Sequence, residues 1–246
     1  MRFARLATAD GPVSGRYESG VVHASDGTYE VGVDGRLLPP CEPSALYCVG
    51  RNYAETLEQM DYERPEEPDF FIKPPTALVG HERPIPSPTF TDELTYAGEL
   101  AAVIDRRCRE LSPDDVPDAV RGYTVMNDVD ALDQQGRTAR KAFDGSAPLG
   151  PWLETDVDPT SLEMWTDVGG ERRQEASTEL MLFDPFEVVS FLSKRFTFRP
   201  GDVVAFGSPA NPGLLEPGET VEITYEGVGT LRNTVSSGGI GETLRV

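Results

Sequence analysis

Three segments decide the fold: LTYAGELAAVI at residues 94–104, GYTVMNDVDALDQQ at residues 122–135 and RKAFDG at residues 140–145. The first two alternate as β-strands do, so Glu99 and Asp128 are predicted to point into one shared cavity. Lys141 follows a short polar loop and can enter the same space. Two carboxylates and one ammonium group at a cleft suit a hard divalent cation that holds an oxygen-rich anion. The alternative is that these residues are solvated charges at sheet edges.

The composition is strongly acidic. Against 22 Lys and Arg residues stand 42 Asp and Glu residues, which give a formal net charge of −20 over 246 residues. This charge repels nucleic acids and anionic membranes, so neither is an expected partner. Self-repulsion of this size is relieved at high ionic strength, which indicates adaptation to a salt-rich cytoplasm; an unusually acidic mesophilic surface is the alternative. Only three lysines are present, Lys73, Lys141 and Lys194, so a lysine inside a motif indicates a specific role for its ammonium group.

The cysteines and the hydropathy pattern bear on the compartment. Cys41, Cys48 and Cys108 are odd in number and lack CxxC spacing, which predicts neither a disulfide framework nor a zinc site. No apolar run has the length of a signal peptide or of a membrane span. We therefore expect a soluble, cytoplasmic protein.

Turn signals divide the chain into two regions. Residues 1–42 contain short strands separated by DG pairs, which predict hairpins and a small N-terminal β region. A linker rich in proline then leads into a main domain at residues 43–246. Helices are predicted at residues 52–60, from Ser112, and from Asp184 through Lys194, the last two on capping signals. Residues 216–235 predict a closing hairpin, and the last ten residues are expected to be loosely held. The predicted fold class is mixed and mostly β.

Short motifs follow one another in order along most of the chain. They are YAGEL at 96–100, GYT at 122–124, ND at 127–128, Asp133, Gln135, Lys141, FD at 143–144 and GPW at 150–152. Upstream lie YCVGRNYAE at 47–55 and FFIKPPTALVG at 70–80, and downstream lies PGDVVAFGSP at 200–209. This ordered set resembles the fumarylacetoacetate hydrolase family, in particular members that isomerise dienols or hydrolyse acylpyruvates.

The resemblance implies a rolled β-sandwich with a few helices, usually assembled as a homodimer, that acts on a 2-oxo or enol carboxylic acid. A divalent ion, Mg²⁺ or Mn²⁺, would act as a Lewis acid and stabilise enolate charge. Glu99 and Asp128 occupy the metal-ligand positions of the motif, and Lys141 occupies the position of its catalytic lysine. The positions that the resemblance implies for substrate binding are Arg51, Tyr53, Lys73, Gln135 and Ser208.

The sequence departs from the family pattern at four places. Ala97 replaces a third metal-binding glutamate, which predicts a weakened metal site. Thr56 and Gln59 replace the His–Glu pair of a lid, which supplies the usual base. Leu132 replaces an arginine that binds the substrate carboxylate through a two-point contact, which a lysine cannot form.

Two further features concern ligands and substrate. Asp130 lies two residues beyond Asp128, so it is predicted to share its face and is a candidate third ligand; a surface aspartate is the alternative. The substrate-holding turn of the family is kept as Gly207-Ser208-Pro209.

Three functional hypotheses follow. The first is a metal-dependent hydrolase, isomerase or decarboxylase with a remodelled pocket. The second is a catalytically impaired member that binds or assembles, in which Lys141 forms a structural salt bridge to Asp128 or Asp144. The third is a sugar-acid dehydratase.

Overall fold

The computed structural model describes residues 1–237, in which nineteen β-strands and three α-helices form. The strands are β1 Arg2–Thr8, β2 Gly11–Glu18, β3 Val21–Ala24, β4 Thr28–Glu30, β5 Gly35–Leu38, β6 Leu46–Gly50, β7 Asp69–Lys73, β8 Leu78–Val79, β9 Leu94–Tyr96, β10 Gly98–Ile104, β11 Val120–Asn127, β12 Asp130–Ala131, β13 Ala147–Glu154, β14 Glu163–Val168, β15 Glu171–Ser177, β16 Val203–Ala205, β17 Gly213–Leu214, β18 Thr220–Tyr225 and β19 Gly229–Thr234. The helices are α1 Ala54–Gln59, α2 Arg137–Lys141 and α3 Pro185–Ser193. The prediction of a mixed, mostly β fold is confirmed.

A twelve-stranded sheet forms the centre of the main domain, with β10 between β11 and β16. Every residue of β10 is buried, and its side chains alternate between two hydrophobic clusters. Leu100 and Ile104 belong to the larger cluster and Ala101 and Val103 to the smaller one. A strand covered on both faces explains why the segment reads as a nearly continuous apolar run. The same alternation assigns Glu99 to the face of the smaller cluster.

A four-stranded sheet, β15-β14-β18-β19, packs against this centre. Gly98 allows the close approach, because a Cβ atom there would lie 2.7 Å from Thr166 Oγ1 and 2.9 Å from Ile223 Cγ2. The hairpin predicted for residues 216–235 is present as β18 and β19, which pair in antiparallel register. A third, three-stranded sheet with the order β12-β9-β17 forms one wall of a cavity.

The N-terminal hairpins predicted from the DG pairs are present as β1 to β4. Ala4, Leu6, Val22 and Leu37 form a separate small cluster there. The region is nevertheless continuous with the main sheet, because β1 pairs with β13 through the register Phe3↔Leu153. The boundary between residues 42 and 43 stays a prediction.

The helix predictions had mixed outcomes. Asp184 caps α3 through a complete capping box with Glu187, as predicted, and the helix ends at Ser193, one residue before the predicted end, with Lys194 as its C-cap. The helix predicted from Ser112 is wrong, because only the short 3₁₀ turns Pro113–Asp115 and Pro117–Ala119 form. Pro117 explains this result, since a proline in the second turn removes a helical hydrogen bond and clashes with the preceding turn. Near residues 52–60 the helix is shorter than predicted.

Two remaining expectations concern the membrane and the C-terminus. No helix within residues 1–237 is both long enough and apolar enough to span a bilayer. The last ten residues, 237–246, are expected to be loosely held. All of them except Ser237 lie outside the described residues.

Candidate functional site

A cavity of about 540 Å³ opens where β10 begins and β11 ends, and both Glu99 and Asp128 line it. In the antiparallel pair, Glu99 lies opposite Met126, and the backbone N–H of Asp128 donates to the carbonyl of Ala97 over 2.9 Å. Paired positions share a face, as do positions two apart. The two carboxylates are therefore diagonal neighbours on one face, as the alternation predicts.

The turn after β16 holds Glu99. The carboxylate oxygen Oε2 accepts a hydrogen bond of 3.0 Å from the backbone N–H of Gly207. Gly207 has a φ of +90°, and a Cβ atom there would lie 3.0 Å from Asn52 Cβ and 3.1 Å from the carbonyl oxygen of Val49. The glycine is thus required both by its backbone conformation and by the close contact.

Glu99 has an unusual protonation equilibrium. Burial raises the pKa of its carboxyl group well above the usual range, and the neighbouring charge of Asp128 raises it further. Lys141 and Lys73 oppose these effects only in part. Buried, mutually repelling carboxylates of this kind are found at sites that bind cations or transfer protons.

Two lysines neutralise Asp128. Lys141 Nζ donates to Asp128 Oδ2 and lies 3.2 Å from Asp130 Oδ2, and Lys73 Nζ lies 2.9 Å from Asp128 Oδ1. Burial alone would raise the pKa of Asp128, but the two ammonium groups outweigh it and hold that pKa below its usual value. Burial likewise lowers the pKa of Lys141, but the charges of Asp128 and Asp130 more than reverse this effect and raise it. Lys141 therefore remains a cation at neutral pH.

Lys73 and Lys141 have different surroundings. Lys73 is fully buried, does not line the cavity, and donates to the carbonyl oxygens of Val129, Lys141 and Ser146 at 2.6–2.9 Å. Lys141 lines the cavity, and 17% of its side chain is exposed. Lys73 thus supports Asp128 and the backbone around Lys141 from behind, while Lys141 meets the contents of the cavity.

Asp130 also lines the cavity, but its carboxylate is held by an arginine. Arg140 Nε donates to Oδ1 at 2.9 Å and Nη2 donates to Oδ2 at 2.5 Å. Within residues 1–237, no group of three His, Cys, Asp or Glu side chains is placed to hold a metal ion. The structure therefore does not join Asp130 to Glu99 and Asp128 as a third ligand.

The donor set still fits a divalent ion with two protein ligands. Glu99 and Asp128 supply oxygen atoms from adjacent chain segments, and Mg²⁺ sites commonly use one or two carboxylates together with water and substrate oxygens. The raised pKa of Glu99 is the supporting observation, because a cation near both carboxylates would relieve their repulsion. Such an ion would compete with the Lys141 ammonium group for Asp128.

Thr56 and Gln59 attach helix α1 to the loop after β16. Thr56 Oγ1 donates to the carbonyl of Ser208 at 3.2 Å. Gln59 Nε2 donates to Asn211 Oδ1 at 2.9 Å, and the backbone N–H of Asn211 donates to Gln59 Oε1 at 2.8 Å. The two residues that replace the family's lid pair therefore have a structural role here, because they connect α1 to residues 208–211.

The mouth of the cavity carries paired arginines. Arg137 forms a two-point contact with Asp69 at 2.6 and 2.7 Å. Arg51, with a φ of +60°, places its Nε 3.6 Å from the same carboxylate and its guanidinium 4.3 Å above the ring of Tyr62. Arg51 thus shares one negative charge with Arg137.

The structure brings only some of the predicted substrate-binding residues to the cavity. Arg51 and Ser208 line it, whereas Tyr53 and Lys73 are buried away from it and Gln135 is exposed outside it. Gln134 lines the cavity instead of Gln135. The resemblance identifies motif positions, but it does not indicate which of two adjacent side chains turns inward.

Gln174 is a site residue that the sequence analysis missed. It is buried, and its Nε2 donates to Ser208 Oγ at 2.9 Å and to the carbonyls of Pro209 and Ala210 at 3.1 Å. Its Oε1 accepts from the backbone N–H of Gly98 at 3.2 Å. Gln174 thus joins the 208–210 loop to the start of β10. The only available signal was an uncharged residue within the charged segment ERRQEAS, residues 171–177.

Comparison with known proteins gives consistent matches. The family model for the fumarylacetoacetate (FAA) hydrolase C-terminal domain matches residues 45–236. The mitochondrial oxaloacetate tautomerase FAHD1 of Bos taurus is 34% identical, over 74% of this chain and 87% of that protein.

Two solved structures are similar along nearly their whole length. One is a 5-carboxymethyl-2-hydroxymuconate delta-isomerase from Mycobacterium smegmatis, with a TM-score of 0.88 and 39% identity over 97% of this chain and 100% of that one. The other is a fumarylpyruvate hydrolase from Pseudomonas aeruginosa in complex with Mn²⁺ and pyruvate, with a TM-score of 0.75 and 31% identity over 89% of this chain and 97% of that one. These matches confirm the fold that the resemblance implied.

Proposed function

The chain belongs to the fumarylacetoacetate hydrolase family, and from this premise we propose that it is a divalent-metal-dependent enzyme acting on a 2-oxo or enol carboxylic acid. The observation that carries the proposal is the convergence of Glu99, Asp128 and Lys141 on one cavity. Relatives named as isomerase, hydrolase and tautomerase are consistent with it.

Glu99 and Asp128 are the residues that would hold the metal. When bound, Mg²⁺ or Mn²⁺ supplies a Lewis acid for the oxygen on which enolate charge develops. Lys141 contributes a permanent positive charge beside that oxygen, because Asp128 and Asp130 keep it protonated. Fixed charges in a site that excludes water stabilise developing negative charge strongly.

Among the reactions of such acids, we propose enol–keto isomerisation rather than hydrolysis. Hydrolysis needs a base that activates water, but Thr56 and Gln59 are engaged with residues 208–211. Neither His23 nor His81 lines the cavity. Isomerisation consumes no water: the enol oxygen releases its proton to solvent and the carbon takes one up from solvent, so the step needs no residue that activates water as a nucleophile.

The test follows the loss of enol absorbance from the dicarboxylic acid oxaloacetate, from dienol acids and from the monocarboxylic acid phenylpyruvate, with Mg²⁺ or Mn²⁺ and then with a chelator. We expect a metal-dependent acceleration that the double variant Glu99→Gln, Asp128→Asn abolishes. The exposed Asp114→Asn serves as the matched control and should retain full activity. An acceleration that survives both the chelator and the double variant would overturn the proposal. The absence of any acceleration with all of these acids would also overturn it.

A second candidate is a family member without catalysis. The observation that favours it is the ion pair between Lys141 and Asp128, which a structural role for Lys141 predicts. Titration calorimetry distinguishes the two candidates, because the enzyme must bind Mg²⁺ or Mn²⁺ through Glu99 and Asp128. A purely structural ion pair predicts no heat that depends on these carboxylates.

Assembly and location complete the proposal. We propose a homodimer on the basis of the family resemblance, which sedimentation equilibrium tests. We also propose a cytoplasmic location, to which the three unpaired, buried cysteines are suited.

A further inference from the structure

The apolar side chains at the cavity mouth suggest what the substrate carries beyond its 2-oxo acid group. Nine large apolar side chains are exposed within residues 1–237, and four of them line this one cavity. These four form what we term the apolar rim: Met60, Tyr62, Leu132 and Leu214, which are 40–54% exposed. Single exposed apolar residues are ordinary, but a cluster beside a pocket marks a binding surface.

The three-stranded sheet places this rim outward from the charged end of the cavity. Asp130 and Leu214 flank Thr95 of the central strand β9 on its two sides. Leu132 lies in the turn that follows β12 and lines the same cavity as Asp130. Exposure rises from 4% at Asp130 to 41% at Leu132. A ligand that extends outward from Lys141 and Asp130 therefore passes from charge to apolar surface.

The arginines of the mouth are already paired with carboxylates. Arg140 makes a two-point contact with Asp130, and Arg137 makes one with Asp69. A second carboxylate on the substrate would have to break one of these contacts or use Arg51, which shares Asp69 with Arg137. In addition, Leu132 stands where the family motif has an arginine.

We propose that the substrate is a 2-oxo or enol monocarboxylic acid with an uncharged, apolar tail that lies on Leu132 and the rest of the apolar rim. This inference rests on the proposed function and narrows it to a substrate class. Leu132 is then a specificity-determining residue, which accepts a hydrocarbon tail and discriminates against a terminal carboxylate.

Binding of two matched acids tests this proposal. 2-Oxohexanoate and 2-oxoadipate have the same number of carbons and differ by a terminal methyl group against a terminal carboxylate. Calorimetry with Mg²⁺ present should show that 2-oxohexanoate binds about tenfold more tightly than pyruvate, since each fully buried methylene group contributes about fourfold and the rim is half-exposed. 2-Oxoadipate should bind more weakly than 2-oxohexanoate.

Variants at Leu132 test whether this residue determines the preference for an apolar tail. Leu132→Arg should reverse it in favour of 2-oxoadipate, and Leu132→Ala should weaken 2-oxohexanoate binding while pyruvate binding stays the same. Leu180→Arg is the matched control, because Leu180 is exposed but does not line the cavity. A wild-type protein that binds pyruvate but binds 2-oxoadipate as tightly as 2-oxohexanoate overturns this inference alone. If pyruvate does not bind either, the proposed function fails and the inference fails with it.

Discussion

Replacing Lys141 by Met is expected to lower turnover strongly in a protein that still folds. The side chain lines the cavity, and its charge is maintained by Asp128 and Asp130. Loss of one fixed electrostatic stabiliser typically lowers turnover by about 100-fold or more. Asp128 keeps Lys73 at 2.9 Å and Asp130 keeps Arg140. The stability cost should therefore be about 1–3 kcal/mol, the scale of one charged hydrogen bond.

The other two lysines provide matched comparisons. Lys73→Met removes the partner of three carbonyl groups and of Asp128 in a fully buried position. Breaking a buried ion pair by removing one partner costs about 3–5 kcal/mol, and each kcal/mol lowers the melting temperature by about 2–4 °C in a chain of this size. Lys194→Met changes an exposed residue at the end of α3 and should alter neither activity nor stability.

Urea unfolding followed by circular dichroism, together with the isomerisation assay, separates these effects. The expected order of stability is wild type and Lys194→Met, then Lys141→Met, then Lys73→Met. The reasoning is refuted if Lys141→Met keeps activity within tenfold of the wild type. It is also refuted if Lys141→Met is destabilised as much as Lys73→Met.

The remaining predictions concern pH, ligand coupling and salt. Because the pKa of Glu99 is raised in the folded protein, the metal-free wild type should lose stability relative to Glu99→Gln as the pH rises above about 4.5. The loss is about 1.4 kcal/mol for every tenfold difference in proton affinity between the folded and the unfolded state. Urea unfolding from pH 4 to 8 checks this, and a stability difference between the two proteins that does not change with pH would contradict it. Mg²⁺ affinity should rise when pyruvate is present, and pyruvate affinity should rise by the same factor when Mg²⁺ is present; calorimetry in both orders tests the equality. With a net charge of −20, the protein should melt at a higher temperature in 1 M KCl, where the screening length is about 3 Å, than in dilute buffer; a lower melting temperature in KCl would count against a salt-adapted surface.

The sequence predicts the parts of the site that depend on local periodicity. Alternation along β10 and β11 was sufficient to place Glu99 and Asp128 on one face, because the side-chain period of a strand is fixed by its geometry. The capping box of α3 was readable for the same reason, since all its hydrogen bonds lie within four residues. Such features require no knowledge of the rest of the chain.

Features that depend on distant contacts could not be predicted. Lys73 belongs to the family motif, but its partner Val129 is 56 residues away, and nothing in the local sequence shows that its ammonium group is fully enclosed. Gln59 and Asn211 are 152 residues apart, so their contact follows only from the assembled fold. Pro117 is a local signal against the helix predicted from Ser112, but that prediction gave more weight to the capping pattern.

The departures from the family pattern are linked to one another in space, and this arrangement argues against a decayed site. Thr56 and Gln59 do not leave an empty lid, because both bind residues 208–211. Asp130 is paired with Arg140 through two hydrogen bonds. Burial and Asp128 both disfavour the charge of Glu99, so ionisation of Glu99 opposes folding. A residue that lowers stability and has no structural role is typical of functional sites. On the proposed function, Glu99 would bind a cation together with Asp128, which is why we favour the enzyme over the structural alternative.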